Sequence, residues 1–323
     1  MRLAFNRPCS NSHRADSFYQ HSIEKEVCTR LHEVGRFTLT HGTALGSERG
    51  QPADSLWVNK TIGYVVDRQN NDGGYSFCQG TESNAQDTYY GLAILDLLKV
   101  PFPNIERTVK WLRDFVPQNH YSFYYVYKAL RLCGQDPDKK PKTSILSKRF
   151  FSWKSGVIHV YAEVASEFQA TFMITELANM TGVEIDRKKT IDWLLSFQNS
   201  DGGFGVQGHS NLNSTYHAVA SLSILGYSVK SLRETLAYVR SCEKPTGGFT
   251  VTPASYPPYM EHVYYGVSTL DLLGQRARYP EKTAQFVFSC RNSNGGFARS
   301  DLGISTFEDT SYAVHVLRKI GKV

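Results

Sequence analysis

The segment TFEDT (306–310) sets two carboxylates side by side, Glu308 and Asp309. A relative of it, NAQDT (84–88), keeps the second of them as Asp87, and EHVYYG (261–266) opens with Glu261 and His262. Several carboxylates in a partly dry site cannot all ionise, so at least one has a raised pKa. Such a group can act as a Brønsted acid near neutral pH. Glu261, His262 and Asp309 are also competent ligands for a divalent metal, although that use is not the favoured one and no cofactor is expected. A third role is structural. Asp, Ser, Asn and Gln commonly cap helices, and for any one of these residues capping is the commoner use.

Aromatic residues follow directly: Tyr89 and Tyr90, Tyr124 and Tyr125, Phe172, Tyr216, Tyr264 and Tyr265, and Tyr312, in a chain with 19 Tyr and 18 Phe. An aromatic face stabilises a desolvated cation by up to about 2 kcal/mol. Carbocation chemistry would use that, and so would simple binding of an apolar chain. Part of the series is expected only to fill core. His217 and His315 lie in apolar stretches and read as core histidines. Cys242 and Cys290, like Trp111 and Trp193, occupy matching positions and read as packing.

The elements that carry these residues are repeated. DGGF, TGGF and NGGF follow an earlier DGGY, and the second glycines are Gly74, Gly203, Gly248 and Gly296. The long gap between Gly74 and Gly203 holds two degenerate units, NIERTVKWLRDFVPQNHYSFYYVYKALRLCG and TSILSKRFFSWKSGVIHVYAEVASEFQATFMITELANMTG. Each unit reads as two helices. The first is amphipathic, as in KKTIDWLLSFQ, and the second is apolar almost all round, as in TYHAVASLSIL, which marks a buried helix. Glycine supplies the positive φ that stops the first helix, and the aromatic tucks back into the core.

These units predict an all-α fold, an α/α toroid with six inner and six outer helices in a closed barrel over 55–323. Residues 1–54 form an extension with a short helix in SIEKEVCTRLHEVGRF. An open solenoid is the alternative, but it would leave the last helix with an uncapped apolar face. Closure would set the sixth unit beside the first. Glu261, Glu308, Asp309 and Asp87 would then gather at one side of the mouth, with His262 among them. Tyr89, Tyr124, Phe172, Tyr216, Tyr264, Tyr265, Tyr312 and His262 are the candidate substrate contacts.

The turns FQNSDGGFG, CRNSNGGFA and RQNNDGGYS, each before such an inner helix, resemble those of protein prenyltransferase β subunits and squalene-hopene-type terpene cyclases. The resemblance covers all six pairs and implies a central cavity that holds an isoprenoid chain against aromatic walls. Prenyltransferases bind zinc through Asp-x-Cys-Tyr at the fifth inner helix and His-Thr at the sixth. Glu261, Val263 and Asp309 stand at those positions here, and TPASYPPYM, just before, lacks the family's diphosphate-gripping cations. Class II cyclases carry Asp-x-Asp-Asp-Thr with the middle Asp as proton donor. In TFEDT, Glu308 falls at the acid position with Asp309 beside it. The reading is therefore an isoprenoid-processing enzyme without zinc, carrying out acid-initiated cyclisation or rearrangement of a prenyl chain. The alternatives are a prenyltransferase β-like protein and a non-catalytic prenyl-lipid binder.

Bulk properties fit that reading. The 323 residues are 41% hydrophobic and 20% charged, with no run long enough to span a bilayer. The net charge of +6 is dispersed, so nucleic acid is not an expected partner. Six cysteines without a CxxC pair read as reduced thiols in a cytoplasmic protein. The expected partner is a hydrophobic isoprenoid-like small molecule, with peripheral membrane contact for substrate access as an option and no partner subunit.

Overall fold

The structure, a computed structural model, describes residues 53–117, 119–137 and 166–323. The short helix expected before residue 50 and the first helix of the third unit lie outside the described residues. The chain divides after residue 50, and the described residues all fall in the second unit, 51–323.

Within the second unit the helices are α1 (Ala53–Val66), α2 (Ala85–Leu97), α3 (Ile105–Asp114), α4 (His120–Leu132), α5 (Glu167–Thr181), α6 (Arg187–Leu195), α7 (Leu212–Ile224), α8 (Arg233–Cys242), α9 (Met260–Leu272), α10 (Pro280–Ser289) and α11 (Phe307–Lys319). Among the described residues there are no strands, only isolated bridges beside the turns, such as Gln69 with Tyr75 and Arg291 with Phe297. No described helix is long and apolar enough to cross a membrane.

Inner helices start where a polar side chain can take up a free backbone N–H. Asn84, Asn119, Ser166, Asn211 and Thr306 each accept from the backbone N–H of the residue at the third helical position. The threonine one turn into the helix then locks the glycine turn. Thr88, Thr215 and Thr310 accept from the backbone N–H of Tyr75, Phe204 and Phe297 at 2.9–3.0 Å. Those aromatic rings, with Phe249, are fully buried. Cutting any of the three Phe rings back to Ala would cost about 3–5 kcal/mol.

The first glycine of each turn faces the next outer helix at van der Waals contact. Gly73, Gly202, Gly247 and Gly295 have φ of +94°, +85°, +103° and +91°, and a Cβ on any of them would sit within 2.4 Å of that helix's backbone. The carbonyls of Gly73 and Gly202 accept from Thr108 and Thr235 at 2.7 and 2.8 Å. Gly295 accepts from Thr61 at 2.8 Å, so the last turn docks on the first outer helix as the others dock on their neighbours. The inner helices repeat this closure. α2 packs on α4, α4 on α5, α5 on α7, α7 on α9, α9 on α11, and α11 on α2. The unit is a closed ring, and the open solenoid is excluded.

Candidate functional site

Equivalent residues of the six inner helices fall into layers down the bore. The outermost, a collar at the helix starts, is Gln86, Tyr121, Gln169, Asn213, Glu261 and Glu308. Glu308 is the residue around which the collar is organised. Its Oε1 accepts from the hydroxyls of Tyr90 at 2.9 Å and Tyr312 at 2.8 Å, while Oε2 lies 3.4 Å from Gln86 Nε2 across the closing seam. Burial raises its carboxyl above the ordinary glutamate value, against the two phenol hydrogen bonds; Glu261 and Asp87 push the same way as burial.

Asp309 points elsewhere. It completes a capping pair with Thr306, whose hydroxyl donates to Oδ2 at 2.7 Å. Burial pushes it up to about 7; the Thr306 bond and Arg299 pull down, and Glu308 and Glu261 push up. Asp87 occupies the same place in the first unit. Its Oδ2 accepts from Asn84 at 2.7 Å and from the Phe77 N–H at 3.2 Å. Burial raises it too, against those bonds. Both aspartates thus brace the capping residues Asn84 and Thr306 and are not themselves the caps, and burial favours their neutral forms.

Glu261 is held differently. Arg299 donates to its Oε1 at 2.7 Å and lies over the Tyr259 ring at 4.3 Å. The segment before the fifth inner helix brings no cation, but the sixth turn supplies one. That correction was hidden because Arg299 belongs to a different unit. His262 packs against Tyr259 and sits 3.3 Å from Glu261. It is buried outside the cavity wall, so the structure does not place it among the substrate contacts.

The second layer is aromatic. All of Tyr89, Tyr90, Tyr124, Tyr125, Phe172, Tyr216, Tyr264, Tyr265 and Tyr312 line one cavity of about 220 Å³. Their hydroxyls touch: Tyr90 reaches Tyr125 and Tyr312 at 3.4 and 3.3 Å, and Tyr216 reaches Tyr264 at 3.2 Å. Tyr264 stacks on Tyr312 with centroids 4.3 Å apart. Burial keeps the Tyr90, Tyr125, Tyr216 and Tyr312 phenols neutral, well above their usual range. The collar carboxylates do not line this cavity. Glu308 is one side chain away from it, joined through Tyr90 and Tyr312.

The third layer was not foreseen. Seven residues after each collar position, two helical turns on and therefore on the same face, stand Ala93, Lys128, Glu176, Ala220, Ser268 and His315. Lys128 Nζ lies 3.0 and 3.2 Å from the Glu176 carboxylate oxygens and 3.1 Å from the Tyr124 hydroxyl. Tyr124 also donates to Glu176. Ser268 Oγ lies 3.5 Å from His315 Nε2. His217 and His315, expected in closed core, are on the cavity wall. Burial pushes both down to about 4, so they are neutral. The other packing assignments agree with the structure: Cys242 and Cys290 are buried thiols pushed up by burial to about 11 and 12, and Trp111 packs over the first glycine turn.

The zinc set of prenyltransferases does not fit these residues. Val263 is fully buried and offers no donor, and Arg299 already takes up the Glu261 carboxylate. Among the described residues no three His, Cys, Asp or Glu side chains converge as a metal site.

Comparison with known proteins agrees with this architecture. The family model of the prenyltransferase alpha-alpha toroid domain matches residues 15–120, 116–257 and 168–321. The β subunit of protein farnesyltransferase from Schizosaccharomyces pombe is 31% identical over 179 residues, 51% of this chain and 43% of that protein, so the match spans less than half of the relative. Two solved structures share the fold. Candida albicans protein geranylgeranyltransferase-I, complexed with GGPP, superposes with a TM-score of 0.61 at 15% identity, over 82% of this chain and 91% of its own. A type II terpene cyclase from Scytonema, in complex with its substrate geranylgeranyl dihydroxybenzoate, gives 0.54 at 12% identity, over 84% and 98%. With its glycine turns, its closed ring and most of its length accounted for in this way, the chain belongs to the prenyltransferase alpha-alpha toroid family.

Proposed function

We propose that this chain is an isoprenoid-processing enzyme in which a proton from Glu308 starts cyclisation or rearrangement of a prenyl chain held in the tyrosine-lined bore. The observation that carries this reading is the contact of Glu308 Oε1 with two phenols, Tyr90 and Tyr312, that themselves line the cavity. A carboxyl raised by burial keeps its proton to higher pH. With that carboxyl neutral, the same 2.8 Å contact lets the acid donate to the Tyr312 oxygen while the phenol gives its own proton to an alkene carbon. The cation so formed meets the aromatic faces of the wall, and loss of a proton from a neighbouring carbon, back through Tyr312 to the Glu308 carboxylate left by the first step, ends the reaction without change of mass. The solved neighbours named for GGPP and for geranylgeranyl dihydroxybenzoate bind isoprenoid compounds in this fold, which supports the ligand class. Glu308 is the proton donor in this proposal; burial chiefly raises its proton affinity and that of the adjacent Asp309, with Glu261 adding to both and Asp87 to Glu308.

The test is incubation with linear prenyl substrates of several lengths and product analysis by mass and retention. Wild type should yield an isomer of the substrate, and Glu308→Gln should yield none. An isomer formed equally by both proteins would remove Glu308 from the acid role; no isomer from any chain length would remove cyclisation.

A second reading, prenyl transfer, is favoured by the likeness to a farnesyltransferase β subunit and by the Arg299 guanidinium at the collar. It predicts release of diphosphate from a prenyl diphosphate and dependence on a partner subunit. A purified chain that turns over alone, with retention of mass, counts against it.

A further inference from the structure

The third layer of the bore has a role the acid chemistry leaves unused. Four of its six positions are polar, and they are arranged in pairs. Following the ring, Lys128 and Glu176 are neighbours on α4 and α5, and Ser268 and His315 are neighbours on α9 and α11. Ala220 on one side and Ala93 on the other separate the pairs, so they face each other across the bore. Small side chains at the separating positions leave room between them, and Ala93, Lys128 and His315 all line the cavity.

Lys128 and Glu176 lie deep in an aromatic ring, yet their side chains keep 19% and 23% of their accessible surface. For Lys128 that remaining surface faces the cavity. An ion pair in such a place is a poor device for stability, because desolvation offsets most of the attraction. Its ammonium also sits over the Tyr89 and Tyr124 rings at 4.8 and 5.0 Å. The pair carries no net charge. A charged ligand group beside it would be left uncompensated in a medium where that is costly, whereas an uncharged oxygen group would meet the Lys128 ammonium and the Tyr124 hydroxyl, both on the cavity wall, with Glu176 behind them.

We propose that Lys128 and Tyr124, on the cavity wall and held by Glu176 behind them, form a recognition point for an uncharged hydroxyl or carbonyl group, so that the isoprenoid ligand is an oxygenated amphiphile and not a hydrocarbon or a diphosphate. The inference rests on the isoprenoid reading given above and deepens it by naming the substrate class. It also fixes an orientation. Two helical turns separate the belt from the collar, about 10 Å along the axis. A ligand with its oxygen at the belt presents the far end of its prenyl chain to the Glu308 pair.

The experiment is equilibrium binding of radiolabelled farnesol to the full chain, with competition by unlabelled farnesol, farnesene and farnesyl diphosphate. Farnesol should compete about tenfold better than farnesene, the size expected of one well-made hydrogen bond. It should also compete better than the diphosphate. Lys128→Met/Glu176→Met removes both charges together and leaves neither unpaired; farnesol and farnesene should bind it equally. Should that variant not fold, as judged by circular dichroism, Lys128→Gln/Glu176→Gln keeps polarity and bulk and should shrink the preference. Equal competition by farnesol and farnesene in wild type, a preference that survives in the folded variant, or a preference for the diphosphate would each overturn this inference alone. Failure of every prenyl compound to bind would instead defeat the isoprenoid reading, and this inference with it.

Discussion

The collar and the belt are two polar rings on the same six helices, and they handle charge in opposite ways. At the collar, Glu308 and the neighbouring Asp309 and Asp87 are carboxylates with hydrogen-bond donors but no paired cation, and burial raises all three; of the collar carboxylates only Glu261, with Arg299 at 2.7 Å, has one. In the belt, the Glu176 carboxylate has a cation at 3.0 Å. Burial alone would lower Lys128, but Tyr89 and Glu176 outweigh it and hold the ammonium charged. A buried acid without a counter-ion keeps its proton to higher pH and can exchange it there. The first arrangement suits proton transfer and the second suits recognition. Two layers of one scaffold thus divide the chemistry between them.

The largest expected effect comes from breaking the collar. Glu308→Gln keeps the contact with Tyr90 and Tyr312 but cannot supply a proton, so the rate of isomer formation should drop about 10²–10⁴-fold with melting behaviour nearly unchanged. Steady-state kinetics and a thermal melt on the same preparation check both halves.

The belt should break in the other currency, stability. Lys128→Met leaves the Glu176 carboxylate in the ring without its cation and should cost about 2–3 kcal/mol, less than the roughly 3–5 kcal/mol of a fully buried pair because both side chains keep some exposure. Lys128→Met/Glu176→Met should recover most of that. Urea unfolding of the single and double variants gives both numbers, and a double variant as unstable as the single one would contradict the paired reading.

Legibility in the sequence followed periodicity. The glycine turns, the buried inner helices and ring closure were readable because the same residues recur: Gly-Gly-aromatic, then a threonine whose hydroxyl holds the aromatic's N–H. The tyrosines were readable because each follows that threonine or its equivalent. The belt was not, because Lys128, Glu176, Ser268 and His315 share a register and no chemistry. Glu176, within MITELANM, looks like an ordinary solvent-facing residue until its helix is placed in the ring. Counting seven residues on from the collar would have found it. Arg299 escaped for a different reason: the carboxylate it serves, Glu261, belongs to another unit, and only the fold brings them together. His262 was included because it adjoins Glu261 in sequence, yet neighbours on a helix point about 100° apart.

A smaller effect sharpens the comparison through pH. Asp309 is pushed up to about 7 in the folded chain from an ordinary aspartate value, so the native state binds the extra proton between those limits. Its contribution is therefore present at low pH and lost as pH rises towards 7, by at most about 1.4 kcal/mol per pH unit. His217 and His315, pushed down to about 4, contribute with the opposite sign: they favour folding more as pH rises from 4 to 6.5. The two trends oppose each other in wild type. Asp309→Asn removes one falling trend and leaves the histidines untouched, so its stability relative to wild type should climb between about pH 4 and 7.

The smallest effect is at the rim. Arg299→Met breaks a partly exposed pair with Glu261 and should cost at most about 1 kcal/mol. Arg299 holds the Asp309 carboxyl down, so the same change should move the Asp309 titration upward. Carboxyl chemical shifts followed through a pH series read this directly, and an unmoved Asp309 would separate the rim from the collar.

The bond between Thr61 and Gly295 closes the ring across 234 positions of sequence, against 35 for Thr108 and Gly73. For a flexible chain the longer loop costs about 1.7 kcal/mol more to close, a modest thermodynamic difference. In time the difference is larger. At the pace of a ribosome, the interval between making the first outer helix and making its final partner is on the order of 10–50 s. Throughout it, the seam of α1 and α2 that α11 will cover stays open, and other apolar surfaces can compete for it. Each of the other seams is sealed within a few seconds by the next helix pair to emerge. The molecule's last joint is also the one its nascent chain must protect longest.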